Sequence, residues 1–316
     1  MQPVVENKEY VVERLSQAKL KDLETLHQAV YGAPPEKNYY SKKYNTAYTG
    51  VEWLGYVAYN KDRIAVAYYG VMPCFIEYGK EILLAAQSGD TMTHPAFRYK
   101  GMFVELSKIT FELCRKAGLH FIFGFPNQNS YHGAVTKLGW QMTESMECFE
   151  IPVSAAPWKG ISNRFPLFKK IYAAYSNSIL RKYLTTEKGV PNSVIIDGFA
   201  GILRDEAYLN YKTYSDTIVI RVDKATAWIK IKNELVIGDM ELNGQDFDYT
   251  MKNIKILASK LGLKKILFHS CHDTHLEWLF VARYPPIKSF PVLFQDLGAN
   301  ISFDKIKFTF ADIDIF

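Results

Sequence analysis

The sequence predicts an α/β protein of two lobes, each a mixed sheet with flanking helices. Three observations lead there: a strand, a tight turn and a helix in immediate succession between Gln87 and Phe103, an order of elements that runs twice along the chain, and a length of 316 residues with 48% hydrophobic content, enough for more than one core.

The first lobe opens with a strand at Tyr10 to Arg14 and a helix through Ala18 to Val30, stopped by Gly32, Pro34 and Pro35. An aromatic, polar loop follows. Residues 51 to 93 read as three antiparallel strands separated by the turns Asn60-Lys-Asp and Gly79-Lys-Glu. The helix after the Gln87–Phe103 turn is read from Phe103, Leu106, Ile109, Thr110 and Leu113, whose spacing lays one apolar stripe on a sheet, and it ends near Gly118. A strand at His120 to Phe125 and a short helix entered from Asn127 and closed by Leu138-Gly139-Trp140 complete the lobe.

Between Pro152 and about Asn192 the pattern changes to Pro157, Trp158, Gly160 and then a basic stretch with Phe165, Phe168, Ile171, Tyr172, Tyr175, Ile179 and Leu180 at helical spacing. It reads as a helical connector packed between two domains, with a membrane-surface helix as the alternative. The second half then repeats the first: a helix at 203–214, strands at 217–223, 226–232 and 234–242, a helix from Asp246 to Leu261, a strand at 264–270 and a short helix from His275 to Ala282. The tail, residues 308–316, alternates like a strand. The expected division is 1–152, a connector at 153–195, and 196–316.

The turn itself carries the chemistry. The first N–H groups of a helix lack internal partners and sit at the positive end of its dipole, so a turn that presents them in an arc holds a phosphate. Here it reads Arg98-x-x-Gly101-x-Phe103, preceded by Thr93-His94-Pro95 and followed by the strand from His120 and the Asn127-Gln-Asn-Ser-Tyr-His segment. This ordered set resembles the GNAT N-acetyltransferase superfamily. The resemblance implies two GNAT-like lobes, each a mostly antiparallel sheet splayed between its fourth and fifth strands. It implies acetyl-CoA, or another acyl-CoA, as co-substrate. The cofactor's arm would lie on the strand edge Thr91, Met92 and Thr93, and its pyrophosphate on the amides of Arg98, Tyr99, Lys100, Gly101, Met102 and Phe103. Asn127 and Asn129 would lie on the far wall. Where the first lobe has this turn, the second has Asn243-Gly-Gln-Asp-Phe, with an acid at the helix start that caps the helix and repels phosphate, so it reads as a degenerate copy.

Acyl transfer to an amine needs a neutral nucleophile, a stabilised oxyanion and a proton for the thiolate. Many relatives place a glutamate base on the fourth strand; Gln87 stands there. Asp90 is the substitute candidate, with a surface or turn acid as its other reading. Val135 takes the position of the usual proton-donating tyrosine, which leaves Tyr131, one turn earlier, as candidate donor or as a half-buried aromatic. Some two-lobed relatives use their terminal carboxylate as base, so Phe316 is a third candidate. The segment from His269 to His275 crowds His, Cys and Asp together, but adjacent residues point apart and no second Cys/His group lies near in sequence; no metal is expected.

The net charge of +5 and pI near 8.7 suit a polyanionic ligand without the dense basic clustering of a nucleic-acid binder. Four scattered cysteines argue against a disulfide framework, and the absence of a long apolar run or a signal-like N-terminus points to a cytoplasmic chain with no membrane span. The expected activity is acetyl transfer to a primary amine of a small molecule by direct attack in a ternary complex. An aminoacyl-tRNA-dependent transferase of the peptidoglycan-bridge type and a non-catalytic acyl-CoA-binding protein are the alternatives, and a homodimer is left open. Tyr39, Tyr40, Tyr44 and Tyr48 either stack on an acceptor ring or pack the core.

Overall fold

The computed structural model describes residues 6–7, 10–156, 158 and 166–316, which group into two compact units. The first runs to Thr143 and regains Pro291–Phe303; the second is Glu144–Phe290 with Asp304–Phe316.

In the first unit, β1 (Glu6–Asn7) and β2 (Tyr10–Arg14) precede helices α1 (Leu20–Tyr31) and α2 (Tyr39–Lys43). Gly32 ends α1 in the left-handed region, with its N–H on the Gln28 carbonyl. β3 (Gly55–Asn60), β4 (Ala65–Tyr78) and β5 (Glu81–Thr93) follow, then α3 (Met102–Lys116), β6 (Phe121–Gly124) and α4 (Gln128–Leu138). The Asn60 side chain closes the first hairpin by accepting from the Asp62 and Ile64 amides. Pairing is antiparallel from β1 to β5 and parallel between β5 and β6. Leu106, Thr110 and Cys114 of α3 are buried on one sheet face with Val66, Ile122 and Trp140 nearby, while Leu23 and Leu26 of α1 cover the other with Tyr40, Tyr44 and Tyr68.

The second unit begins inside β7 (Gln141–Pro152) and continues through α5 (Pro166–Leu180), α6 (Ser193–Ile196), β8 (Gly201–Ile202) and α7 (Glu206–Tyr211). β9 (Ile218–Val222), β10 (Ala225–Ile231), β11 (Leu235–Glu241), α8 (Phe247–Lys260), β12 (Lys265–Ser270), α9 (His275–Val281) and β13 (Pro286–Asp296) complete the order. Its sheet repeats the first unit's plan, antiparallel from β9 to β11 and parallel between β11 and β12.

Two long strands, β7 and β13, are not read from the sequence, and the chain passes from one unit to the other within each. Residues 147–152 of β7 pair with β12 in the second unit, and residues 293–296 of β13 pair with β6 in the first. An open strand edge invites pairing, and each sheet's fifth strand is thus covered by chain from the other half of the sequence. The grouping accordingly cuts the chain within β7 and β13 and places the 153–195 stretch with the second unit. Helix α5 belongs there: the Tyr172 and Tyr175 hydroxyls donate to the carbonyls of Leu261 and Lys260, and Ile179 and Leu180 pack on the second core. Pro157, Gly160 and Phe165 lie outside the described residues. The tail is not a strand. A 3-10 turn at Phe310–Asp312 interrupts it, fixed by a reciprocal cap in which Asp312 accepts from the Thr309 amide. Among the described residues no helix is long and apolar enough to cross a membrane.

Candidate active site

In the first unit β5 and β6 pair only at Ala86 with Ile122 and Gln87 with Phe123. Beyond Gln87, β5 continues along β4 alone, so Ser88–Thr93 face away from β4 with a main-chain edge that β6 does not take. A bulge sits in this stretch: Gly70 pairs with Gly89 but Tyr68 with Met92, leaving one extra residue in β5, and Asp90 adopts a positive φ of 51°. Gly70 is required opposite it, since a Cβ there would stand 1.9 Å from the Tyr68 hydroxyl.

The chain then turns through a 3-10 segment at Pro95–Phe97 into α3. Tyr99 and Gly101 both take left-handed φ, 65° and 79°. Gly101 is the N-cap of α3 and brings no side chain to cap it, whereas Asn127, Asp246 and Thr274 cap α4, α8 and α9. The amides of the first turn of α3 therefore receive no cap from the residue that precedes them. Arg98 is exposed, with its Nε 3.5 Å from the Thr93 carbonyl, and Lys100 Nζ lies over the Phe97 ring at 5.3 Å. Phe103 turns inward, its ring 6.1 Å from that of Tyr69, and so does not stand in front of its own amide.

A parallel pair that parts at a bulge, next to an uncapped helix start, gives a peptide-like arm an edge to pair with and a diphosphate a ring of N–H donors. The model for the acetyltransferase (GNAT) domain family matches residues 11–143. This span is a GNAT domain. No curated protein matches the chain. Among solved structures, a GCN5-related N-acetyltransferase from Kribbella flavida is 11% identical with a TM-score of 0.55, covering 92% of this chain and 73% of its own. One from Anabaena variabilis is 12% identical with a TM-score of 0.53 over 91% and 73%. A Pyrococcus horikoshii protein, 10% identical with a TM-score of 0.58, covers 99% of this chain and 97% of its own, so the likeness in fold extends over both halves.

Within the GNAT domain the other expected residues fall as follows. Thr91 and Thr93 are half-buried on the freed stretch, and Met92 is buried, its sulfur 3.5 Å from the Tyr40 hydroxyl. The Asn127 side chain is taken up as the α4 cap, accepting from the Asn129 and Ser130 amides at 2.9 and 3.2 Å; Asn129 is exposed. Tyr131 is half-buried on α4, with its hydroxyl 3.3 Å from the Met142 sulfur. Gln87 is buried where the strands part.

Asp90 is neither a free base nor a surface acid. Lys43 Nζ, fully buried, lies 2.8 Å from its Oδ2, and the Tyr44 hydroxyl donates to the same oxygen at 3.0 Å. Lys43 also donates to Tyr39. His27, bonded to Tyr40, is held below the usual imidazole range first by burial. Tyr40 and Tyr44 are buried, which makes them core, and Tyr48 donates to the Pro73 carbonyl. Lys43 is the residue that sequence reading misses; a Gly-Asp pair inside a strand is the available sign of a bulge, but nothing local names its partner.

The second unit has the same parting of strands and fills it. β11 and β12 pair from Leu235 with Ile266 to Ile237 with Phe268, and the tail packs against both strands beyond that point. Ser270 bridges to Thr309, and the Cys271 amide donates to the Phe308 carbonyl at 2.9 Å. Buried Arg204 joins Asp239 of β11 to Asp312 of the tail at 2.6 and 2.8 Å. The Phe316 ring fits over Gly238, where a Cβ would be 2.2 Å away, so Phe316 is a core residue of the second unit. The start of α8 is closed as well, since Asp246 accepts from the Tyr249 amide at 2.7 Å. In the His269–His275 segment the residues do diverge: His269 is buried on Phe310 and bonded to Ser289, Cys271 accepts from the Phe308 amide, and His275 is exposed.

Proposed function

We propose that the first unit transfers an acetyl group from acetyl-CoA to the primary amine of a small molecule by direct attack in a ternary complex. Acyl-CoA-dependent acyl transfer is the activity of the GNAT family; the acetyl donor, the amine acceptor and the route are this reading's own. The observation that carries it is the freed edge Ser88–Thr93 leading into the uncapped start of α3.

In this reading the arm's amides pair with the Thr91–Thr93 main chain, and the turn from Arg98 to Phe103 binds the diphosphate, with Arg98 adding a charge-assisted bond. The neutral amine nitrogen attacks the thioester carbon, main-chain N–H groups at the bulge hold the oxyanion, the C–S bond breaks, the thiolate takes a proton from Tyr131, and the proton that the nitrogen sheds returns through solvent to the Tyr131 oxygen. Asp90, neutralised by Lys43, shapes the bulge. The cysteines support direct transfer: burial pushes Cys114 up to about 12 and Cys148 up to about 11, which leaves neither as a thiolate nucleophile. In this reading the second unit, whose parting of strands is filled by the tail, binds no acyl-CoA.

Calorimetry with acetyl-CoA followed by thiol-release assays across an amine panel tests the reading. Binding weakened by Arg98→Ala, together with amine-dependent thiol release, is expected. No binding refutes it. Binding without release from any amine would instead favour the acyl-CoA-binding alternative, to which buried Gln87 and ion-paired Asp90 already lend weight.

A further inference from the structure

Three donors from two distant parts of the sequence converge in the second unit. Glu147 on β7, His272 in the turn after β12 and Glu277 in the first turn of α9 each bring one ligand atom to within 4.8 Å of the others. The turn that brings them is built firmly. The His272 amide donates to Glu144 at 2.8 Å, Asp273 takes a left-handed φ of 66°, and the Thr274 hydroxyl caps α9 by accepting from the Glu277 amide at 3.2 Å.

What the turn presents is only partly matched by protein, the Asp273 amide donating to Glu277. Glu277 is only 6% exposed and faces a second carboxylate. Glu147 Oε2 is buried without a hydrogen-bond partner. The imidazole Nδ1 stays 3.7 Å from Glu147 Oε1, beyond hydrogen-bond length, and Lys307 is held by Glu144 at 2.7 Å. Two carboxylates taken out of water beside each other repel unless a shared proton or a cation joins them, and a buried acceptor without a donor is costly.

We propose that Glu147, His272 and Glu277 bind one divalent transition-metal ion, with zinc as its representative, and that the ion fastens β7 to the turn between β12 and α9. Imidazole with two carboxylates suits zinc and its neighbours better than magnesium or calcium, which take all-oxygen sets. Bonds of about 2.0 to 2.2 Å set tetrahedral donors roughly 3.4 Å apart, a contraction that side-chain rotation supplies. Three protein ligands leave a fourth position for water. The site is independent of the acyl-transfer reading, because its residues lie on the unit whose cofactor slot is filled.

The test is calorimetric titration of the chelator-stripped full chain with Zn2+, and separately with Co2+ followed by its visible absorption. One equivalent is expected, with a tetrahedral cobalt spectrum, and His272→Gln or Glu147→Gln should weaken binding by about 100-fold or more. His272 is 43% exposed on its side chain, so its variant retains the fold and decides the matter if Glu147→Gln does not fold. Absence of binding to the unaltered chain, or weakening of less than about tenfold in His272→Gln, overturns the proposal.

Discussion

Gly101→Ala tests the turn at its narrowest point. Nothing lies within 4 Å of the position a Cβ would take there, so the substitution causes no clash, and its whole cost comes from a φ of 79°. An L-residue in that region costs about 1 to 2 kcal/mol, which lowers the folding constant by roughly 5- to 30-fold. If the turn relaxes to relieve this, two or three amides at the start of α3 swing away from the diphosphate. Each hydrogen bond to a charged group contributes about 1.5 to 3 kcal/mol, so loss of even one weakens CoA binding about tenfold or more. Gly79→Ala is the matched control: it sits in the turn between β4 and β5 at a φ of 64°, also with nothing within 4 Å. Both variants should lose similar stability by urea denaturation, but only Gly101→Ala should lose CoA affinity by calorimetry. Equal CoA affinity in the two variants would show that the left-handed Gly101 does not aim the amides, and the binding argument would fail with it.

Lys43→Met removes the buried cation from Asp90 and should destabilise the first unit by about 3 to 5 kcal/mol, with most of that recovered in the double variant Lys43→Met/Asp90→Asn; chemical denaturation of the three variants checks this. Burial holds His269 down to about 4, so its neutral form contributes stability that is complete above the unfolded value near 6.5. Between those values the unfolded chain binds the proton and the native chain does not, and stability should fall by about 1.4 kcal/mol per pH unit as the medium is acidified from 6.5 to 4, a slope that His269→Gln should flatten. Gly238→Ala forces the Phe316 ring out of its seat and should cost about 1 to 3 kcal/mol, seen as earlier protease cleavage of the tail in the variant than in the unaltered chain.

The shape of the turn from Arg98 to Phe103 was legible because it is local: a glycine that takes the left-handed cap without strain, a basic residue three positions earlier and an apolar stripe that begins at once all lie within one short segment. The capping role of Asp246 was legible for the same reason, since a side chain at that position reaches only its own helix. Asp90 was read on the wrong terms. Strand alternation assigns it to a face, but the bulge breaks that alternation, and the ion that neutralises it is on α2, 47 positions away.

From the order of residues alone came the two α/β lobes, the turn that opens α3 and the closed helix start of the second lobe, because turns, caps and periodic stripes are set by neighbours a few positions apart. Only the folded chain decided that β7 completes the second unit's sheet and β13 the first's, that residues 306–316 occupy the second parting of strands, and that Glu147 meets His272 and Glu277. Those contacts satisfy open edges and buried charges with whatever segment packing brings near. No local pattern encodes such a partner, since hydrogen bonding and burial act on distance in space and are indifferent to distance along the chain.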